Sequence, residues 1–107
     1  MTDNEFFQEI LSKGHVWVAM EKNTALLFPN GDDSLSVPLW TEYEKANEFI
    51  RNINSSCKPV EVPVEVFKAS WISNDNLNIK EIIVSPSGLK NGEISLSINE
   101  FINGIWH

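Results

Sequence analysis

Tryptophan is the residue type in this sequence that most strongly suggests a recognition surface. The chain has four tryptophans among its 107 residues, Trp17, Trp40, Trp71 and Trp106. An indole ring buries a large apolar area yet carries a polar N–H group, which suits half-exposed binding surfaces as well as cores. Two interpretations are open: Trp17, Trp40 and Trp71 anchor an interface between helices and a sheet, or they line an aromatic groove.

Trp40 is the tryptophan that we expect to find exposed. It follows the segment Leu35–Leu39, whose alternate apolar residues already occupy the face of the strand that points to the core. His15 stands beside Trp17 in the sequence and adds an ionisable ring. The candidate binding residues are therefore His15, Trp17 and Trp40, together with Trp71.

A catalytic site is not indicated by the residues that could do covalent chemistry. Cys57, His15 and Asp75 could nominally supply a nucleophile, a base and an orienting group. No local motif accompanies any of the three, which favours a loop thiol and an ordinary strand histidine. The sequence therefore favours a protein without catalytic residues.

Motifs for metals and cofactors are missing from the sequence. Asp32 and Asp33 lie in a turn after Asn30-Gly31, but the spaced acids and terminal Glu of a calcium loop are not there. The sequence has no Gly-rich phosphate loop, dinucleotide fingerprint or paired metal-binding histidines. We expect no cofactor and no bound metal.

The charge of the chain limits its partners. Fifteen acidic residues outnumber eight basic ones, and the formal net charge is −7. Nucleic acid and anionic membranes are disfavoured, because binding to phosphate needs clustered Lys and Arg. Glu42, Glu44 and Glu48 form either an acidic face for a basic protein partner or simply the solvated side of a helix.

The first half of the chain predicts a helix followed by strands. Residues 2–13 have apolar residues at helical spacing, and Gly14 can end that helix in a left-handed conformation. His15–Met20 and Thr24–Phe28 then predict a hairpin, with a positive φ at Asn23. Leu35–Leu39 predicts a third strand, which lies at a sheet edge or ends at its proline, because Pro38 cannot donate a ladder hydrogen bond.

The second helix is predicted from a capping box, in which Thr41 and Glu44 bond each other's backbone N–H groups and the helix begins at Glu42. Its apolar stripe consists of Tyr43, Ala46, Phe49, Ile50 and Ile53. A brief extended piece, Val60 to Val62, precedes a third helix that starts at Pro63 and buries Val64, Phe67, Trp71 and Ile72.

The last segments predict another hairpin and a terminal helix. Ile79–Val84 is the clearest strand, and Glu93–Leu96 can pair back onto it after the turn at Asn91-Gly92. Ser97 and Glu100 form a second capping box, which opens a helix with Ile98, Phe101, Ile102 and Ile105 on one face.

These elements predict an α+β fold of one domain, residues 1–107, in the order α-β-β-β-α-α-β-β-α. A mostly antiparallel sheet of about five strands would be covered by about four amphipathic helices. Hydrophobic residues make up 42% of the chain, which suffices for a core of its own. A single cysteine, an acidic amino terminus and the lack of an apolar run of about 20 residues predict a cytoplasmic protein.

An ordered set of sequence features resembles a known family. The chain is similar to the bacterial family catalogued as domain of unknown function 2750 in three successive segments. These are Val16-Trp17-Val18, then Val37-Pro38-Leu39-Trp40 before an acidic helix start, then Val66-Phe67 with Trp71. The resemblance covers Phe6 to Pro86. It implies a small cytoplasmic protein and implies no activity.

Taken together, the residues favour a non-catalytic protein-binding or accessory module, of the kind that immunity proteins exemplify, with an acidic rim around exposed aromatic rings. The alternative is a small-ligand-binding protein or enzyme with a pocket near His15, Trp17 and Trp40. A further hypothesis is a homodimer that forms through the strand Leu35–Leu39.

Overall fold

Over the residues that the structure describes, the protein has an α+β fold with four helices and seven strands in two mostly antiparallel sheets. The computed structural model describes residues 3–29, 31, 33–53, 55–73, 78–86 and 94–106. The elements are α1 (Asp3–Lys13), β1 (His15–Glu21), β2 (Thr24–Ala25), β3 (Phe28–Pro29), β4 (Leu35–Leu39), α2 (Tyr43–Asn52), β5 (Lys58–Pro63), α3 (Val64–Phe67), β6 (Ile79–Val84), β7 (Ser95–Ser97) and α4 (Ile98–Trp106), with a π-helical segment, Lys68–Ile72, after α3. The predicted fold class is confirmed, and the predicted order fits in outline.

The strands form two sheets rather than the single sheet that we expected. The first sheet has the order β2-β1-β5, and the second has the order β3-β4-β6-β7. Every neighbouring pair is antiparallel except β4 and β6, which are parallel. The two sheets meet at one bridge, where Trp17 and Trp40 exchange both backbone hydrogen bonds, at 2.7 and 3.1 Å.

The hydrophobic residues divide into a main core and a smaller outer cluster. The main core lies between the two sheets and α1, α3 and α4, and it includes Phe6, Val16, Val37, Phe67, Ile82 and Phe101. The outer cluster lies between α2 and the other side of the first sheet, and its buried members are Ala19, Trp40, Ala46, Phe49 and Ile50. Because side chains alternate along a strand, β1 contributes Val16 and Val18 to the main core and Trp17 and Ala19 to the outer cluster.

The first helix and the hairpin turn are formed largely as predicted. Gly14 has a φ of +76° and its N–H donates to the carbonyl of Ile10 at 2.7 Å, so it ends α1 as expected. In the turn between β1 and β2, the positive φ belongs to Lys22, at +57°, and not to Asn23. The predicted strand Thr24–Phe28 is divided, because Phe28 joins β3 of the second sheet.

The strand β4 is an interior strand, so its predicted edge position is wrong. It lies between β3 and β6, and Leu35 to Leu39 all pair with β6. Pro38 is tolerated because β3 pairs only with Leu35 and Ser36 and needs no donor from Pro38. A homodimer stays a prediction.

The two predicted capping boxes have different outcomes. The second is confirmed: the Ser97 N–H donates to Glu100 at 3.0 Å, and the Glu100 N–H donates to the Ser97 hydroxyl at 3.1 Å. The first is wrong, because α2 begins at Tyr43 and has no side-chain cap at Glu42. The Thr41 hydroxyl donates instead to the carboxylate of Glu9 in α1, and the Lys13 ammonium donates to the Thr41 carbonyl at 2.8 Å.

The remaining elements extend or confirm the predictions. β5 pairs with six residues of β1, so the extended piece around Val60 is a full strand. Pro63 is the N-cap of α3, so this helix begins at Val64, one residue after the predicted first residue, and β6 has the predicted bounds. β7 pairs antiparallel with β6, whereas the predicted turn at Asn91-Gly92 lies outside the described residues.

Within the described ranges, none of the helices is both long and apolar enough to cross a membrane.

Close packing of α1 on α4 depends on a glycine. A Cβ atom added to Gly104 would lie 2.3 Å from the ring carbon Cζ of Phe7. The Phe7 ring is itself held between Phe6 and Phe101, with centroid distances of 6.2 and 6.4 Å. The ring therefore has little room to move away from a larger side chain.

Substitution of Gly104 should show this constraint. Gly→Ala inside a helix normally stabilises by about 0.5–1 kcal/mol, but here we expect Gly104→Ala to lower the free energy of unfolding by about 1–3 kcal/mol through overpacking. Urea denaturation measures the change. Adding Phe7→Leu should recover part of the loss, and a Gly104→Ala protein more stable than wild type would contradict the packing described here.

The cap of α4 should make stability depend on pH. The backbone N–H of Ser97, followed by its hydroxyl, lowers the pKa of Glu100 below its ordinary value. The stabilisation is therefore fully present above the ordinary Glu pKa and is lost as pH falls through the lowered pKa of the folded state. We expect Glu100→Ala to lower Tm at neutral pH, and its difference from wild type to shrink as pH falls below the ordinary Glu pKa.

Circular dichroism melts across that pH range measure the effect. Glu100→Gln is the matched control, because the amide keeps an acceptor for the Ser97 N–H and does not titrate in this range. A gap between Glu100→Ala and wild type that stays constant with pH would show that the ionised carboxylate does not carry the cap.

Candidate functional site

Three aromatic rings and a carboxylate lie together on the outer side of the first sheet. Trp17 stands at the centre, 5.4 Å from the Tyr43 ring and 6.0 Å from the His15 ring between centroids. The rings meet Trp17 nearly at right angles, at 75° and 88°. Glu61 completes the group, with a carboxylate oxygen 3.8 Å from His15 Nε2. We refer to His15, Trp17, Tyr43 and Glu61 as the aromatic cluster.

The pairing of β1 with β5 places Glu61 next to Trp17. The register sets Trp17 opposite Glu61, with Pro59 and Pro63 two residues away on either side. A proline has no backbone N–H to donate to a partner strand. Pro59, Glu61 and Pro63 therefore occupy the positions of β5 whose backbone groups do not bond to β1, and the residues between them occupy the positions that do. The backbone of Trp17 bonds to Trp40 on its other side, in agreement with this. Side chains at such non-hydrogen-bonded pairs approach most closely, and the Glu61 carboxylate lies near the ring of His15, which packs on Trp17.

The aromatic cluster is partly open to solvent. The His15 side chain is 25% exposed and the Glu61 side chain is 52% exposed. Tyr43 is 47% exposed, whereas Trp17 packs partly against the outer cluster. The rings are therefore packed against the protein on one side and open to solvent on the other.

Two members of the cluster were not among the sequence candidates. Tyr43 was predicted to lie on the buried stripe of α2, but it is the first residue of the helix and its ring reaches over Trp17 instead. Glu61 stands between Val60 and Val62 in a strand, and this alternation was the available signal that it faces away from the main core.

The acidic residues predicted on α2 are all at the surface. Glu42 and Glu44 flank Tyr43 along the chain, and Glu48 follows one turn later. Exposure of these three residues suits both a solvated helix and an acidic rim. Their role in binding stays a prediction.

Trp40 is not exposed, so this prediction is wrong. Its relative exposure is 0%, its Nε1–H donates to the carbonyl of Pro86 at 2.9 Å, and its ring lies 5.2 Å from that of Phe49. The sequence argument assumed that only one face of β4 was covered. In the structure Trp40 projects to the other side and packs against Phe49 of α2 in the outer cluster.

The other two tryptophans lie away from the aromatic cluster. Trp71 belongs to the π-helical segment and packs on Phe67 at 5.5 Å, against the main core on the opposite side of the first sheet. Trp106 donates from Nε1 to Glu65 at 3.2 Å, and the Lys68 ammonium lies 4.6 Å from its ring centre. Of the predicted candidates His15, Trp17, Trp40 and Trp71, only His15 and Trp17 belong to the aromatic cluster. Trp40 is joined to Trp17 through the backbone but is buried.

The nominal catalytic residues are not shown to meet. Cys57 is half-buried beside the outer cluster, and its backbone N–H donates to the Ser55 hydroxyl at 3.1 Å. His15 contacts Glu61 and Trp17, while Asp75 and Asp32 lie outside the described residues. In the described part of the chain, no group of three or more His, Cys, Asp or Glu side chains is placed to hold a metal ion.

The fold and this surface define a small α+β protein that presents a half-exposed aromatic cluster beside acidic side chains. The chain belongs to the family described as "Protein of unknown function (DUF2750)", whose model matches residues 4–104. The resemblance seen in the sequence is thereby confirmed. No curated protein and no solved structure matches the chain.

The burial of Trp40 should appear as a large effect on stability. Trp40→Phe removes the donor to the Pro86 carbonyl, and we expect it to lower the free energy of unfolding by about 1–3 kcal/mol. Trp17→Phe, at the half-exposed position, should cost less than about 1 kcal/mol. Chemical denaturation measures both, and equal losses at the two positions would contradict the structural difference between these rings.

Proposed function

We propose that the protein is a non-catalytic binding module that holds a protein partner on the aromatic cluster. The observation that carries this proposal is the half-exposed position of Tyr43 and His15 around Trp17. Large rings that are anchored on one side and open on the other are typical of the centres of protein interfaces. Such a role is that of an accessory or immunity-like factor in the cytoplasm.

The charge around the cluster supports a basic partner. Glu61 lies within the cluster, and Glu42 and Glu44 flank Tyr43 at the surface. The chain as a whole carries a formal charge of −7. An acidic rim speeds the approach of a basic partner and repels acidic ones, while the rings supply most of the binding free energy.

The frame beneath the cluster supports the same proposal. Trp17 is held by two backbone hydrogen bonds to Trp40, and the turn before Tyr43 is tied to α1 by the contacts of Thr41 with Glu9 and Lys13. Side chains that are already ordered lose little conformational entropy on binding. A surface on strands and helices therefore suits recognition better than one on a loop.

The alternative of a ligand pocket near His15, Trp17 and Trp40 is weakened by the burial of Trp40. Its ring is enclosed by α2 and cannot contact a ligand at the surface without unfolding of that region. The two remaining residues of that pocket belong to the open aromatic cluster, which fits a protein surface better than a small molecule.

Site-specific photocrosslinking in the cells that make the protein tests the proposal. Tyr43 is replaced by p-benzoylphenylalanine, and Val66 on α3 receives the same residue as a control, because both native side chains are 47% exposed. We expect a discrete protein adduct from position 43 and none from position 66. Trp17→Ala should reduce the adduct at least about fivefold, as for an interface centre.

Several results would contradict a partner at this surface. They are no adduct at position 43, the same adducts at positions 43 and 66, or an adduct that survives Trp17→Ala in a folded protein. Thermal melts of each variant establish that the protein is folded.

A further inference from the structure

We propose that the aromatic cluster receives one cationic side chain of the partner, lysine or arginine, which lies against Trp17 and Tyr43 with Glu61 as its counter-charge. This inference rests on the proposed function, because it names the group that the partner inserts. Three observations support the inference: the angle between the rings, the position of the carboxylate, and a cation placed over another indole of the same chain.

The rings form a corner suited to a cation. Trp17 and Tyr43 meet at 75° with centroids 5.4 Å apart, and His15 stands at 88° to Trp17 at 6.0 Å. A cation is attracted to the face of an aromatic ring when it lies within about 6 Å of the centroid. At a corner of this kind, a single cation can lie within reach of two rings. The aliphatic stem of a Lys or Arg side chain would cover apolar ring surface at the same time.

Glu61 is placed to neutralise that cation. The register sets it opposite Trp17, and its carboxylate is 52% exposed beside His15. Charge-assisted hydrogen bonds from an ammonium or guanidinium to a carboxylate are stronger than neutral ones. An acidic residue alone would attract any cation, but the adjoining rings select a cation that carries an apolar stem.

The protein already places a cation over an indole ring where the π-helical segment packs against α4. Lys68 lies 4.6 Å from the ring centre of Trp106, and the indole N–H of Trp106 donates to Glu65 at 3.2 Å. That set of Lys, Trp and Glu comes entirely from the chain itself. At Trp17 the indole and the carboxylate are present on β1 and β5, and the proposed partner supplies the cation.

Three five-residue peptides test the inference: acetyl-Gly-Gly-Arg-Gly-Gly-amide, its lysine counterpart, and its citrulline counterpart, which is nearly isosteric with arginine but neutral. The readout is the NMR signal of the Trp17 indole N–H, assigned by its loss in Trp17→Phe. We expect the arginine and lysine peptides to shift this signal in a saturable way, and the citrulline peptide to leave it nearly unchanged.

Variants distinguish binding of the peptides at the aromatic cluster from their attraction to the net negative charge of the protein. Glu61→Gln and Tyr43→Ala should each weaken binding of the cationic peptides about twofold to fivefold. Glu21→Gln is the charge-matched control, because Glu21 is exposed on the same strand about 13 Å from Trp17 and should leave the affinity within experimental error. Melting curves show that the variants are folded.

Equal shifts with the citrulline peptide, or equal losses for Glu61→Gln and Glu21→Gln, would overturn the cationic assignment. If a partner still crosslinks at position 43 when the peptides fail, the binding module stands and only the nature of the inserted group is wrong. If the peptides bind at Trp17 and no partner crosslinks, the corner recognises cations and the proposed protein-binding function fails.

Discussion

The backbone bridge between Trp17 and Trp40 is the contact on which the arrangement of this protein depends. It supplies two hydrogen bonds that link the first sheet to the second. Residues that are directly opposite in an antiparallel pair project to the same side, so both rings lie on the outer face of the first sheet. Only two residues, Thr41 and Glu42, lie between Trp40 and Tyr43, the first residue of α2. The bridge therefore fixes both principal rings of the aromatic cluster, Trp17 directly and Tyr43 through a short connection.

The same bridge explains why two similar rings have different environments. Trp40 lies under α2 against Phe49 and is fully buried, whereas Trp17 lies beside the start of the helix and is only partly covered. The hydrogen bond from Trp40 to Pro86 also ties the end of β4 to the segment that follows β6. One tryptophan thus stabilises the fold, and its neighbour across the bridge is available for contacts with another molecule.

Sequence patterns predicted local structure more successfully than they predicted exposure. The helices, the strand Ile79–Val84 and the cap at Ser97 follow from periodicity and capping rules that act within a few residues. The cap at Thr41 failed because Glu42, and not Thr41, occupies the N-cap position of α2, and the Thr41 hydroxyl contacts the carboxylate of Glu9 instead. A competing contact 32 residues away in sequence leaves no local signal.

The candidate site was predicted in part for the same reason. His15 and Trp17 were named as candidates from their residue types, and the structure places them on the side of β1 opposite the core residues Val16 and Val18. Tyr43 and Glu61 reach Trp17 through the packing of α2 and the register of β5, which are tertiary features. Trp40 was misplaced because whether a second face of a strand is covered depends on where a helix packs, which alternation cannot reveal.

The prolines of β5 have a consequence for how any other molecule can approach. β5 is the outermost strand of the first sheet, and Pro59, Glu61 and Pro63 direct their backbone groups away from β1. Of these three residues, only Glu61 has a backbone N–H that could donate a hydrogen bond at the outer edge of β5. Such a border is a poor template for strand addition, which protects the protein from self-templated aggregation. Another polypeptide would therefore contact side chains on the face of the sheet rather than backbone groups at its edge.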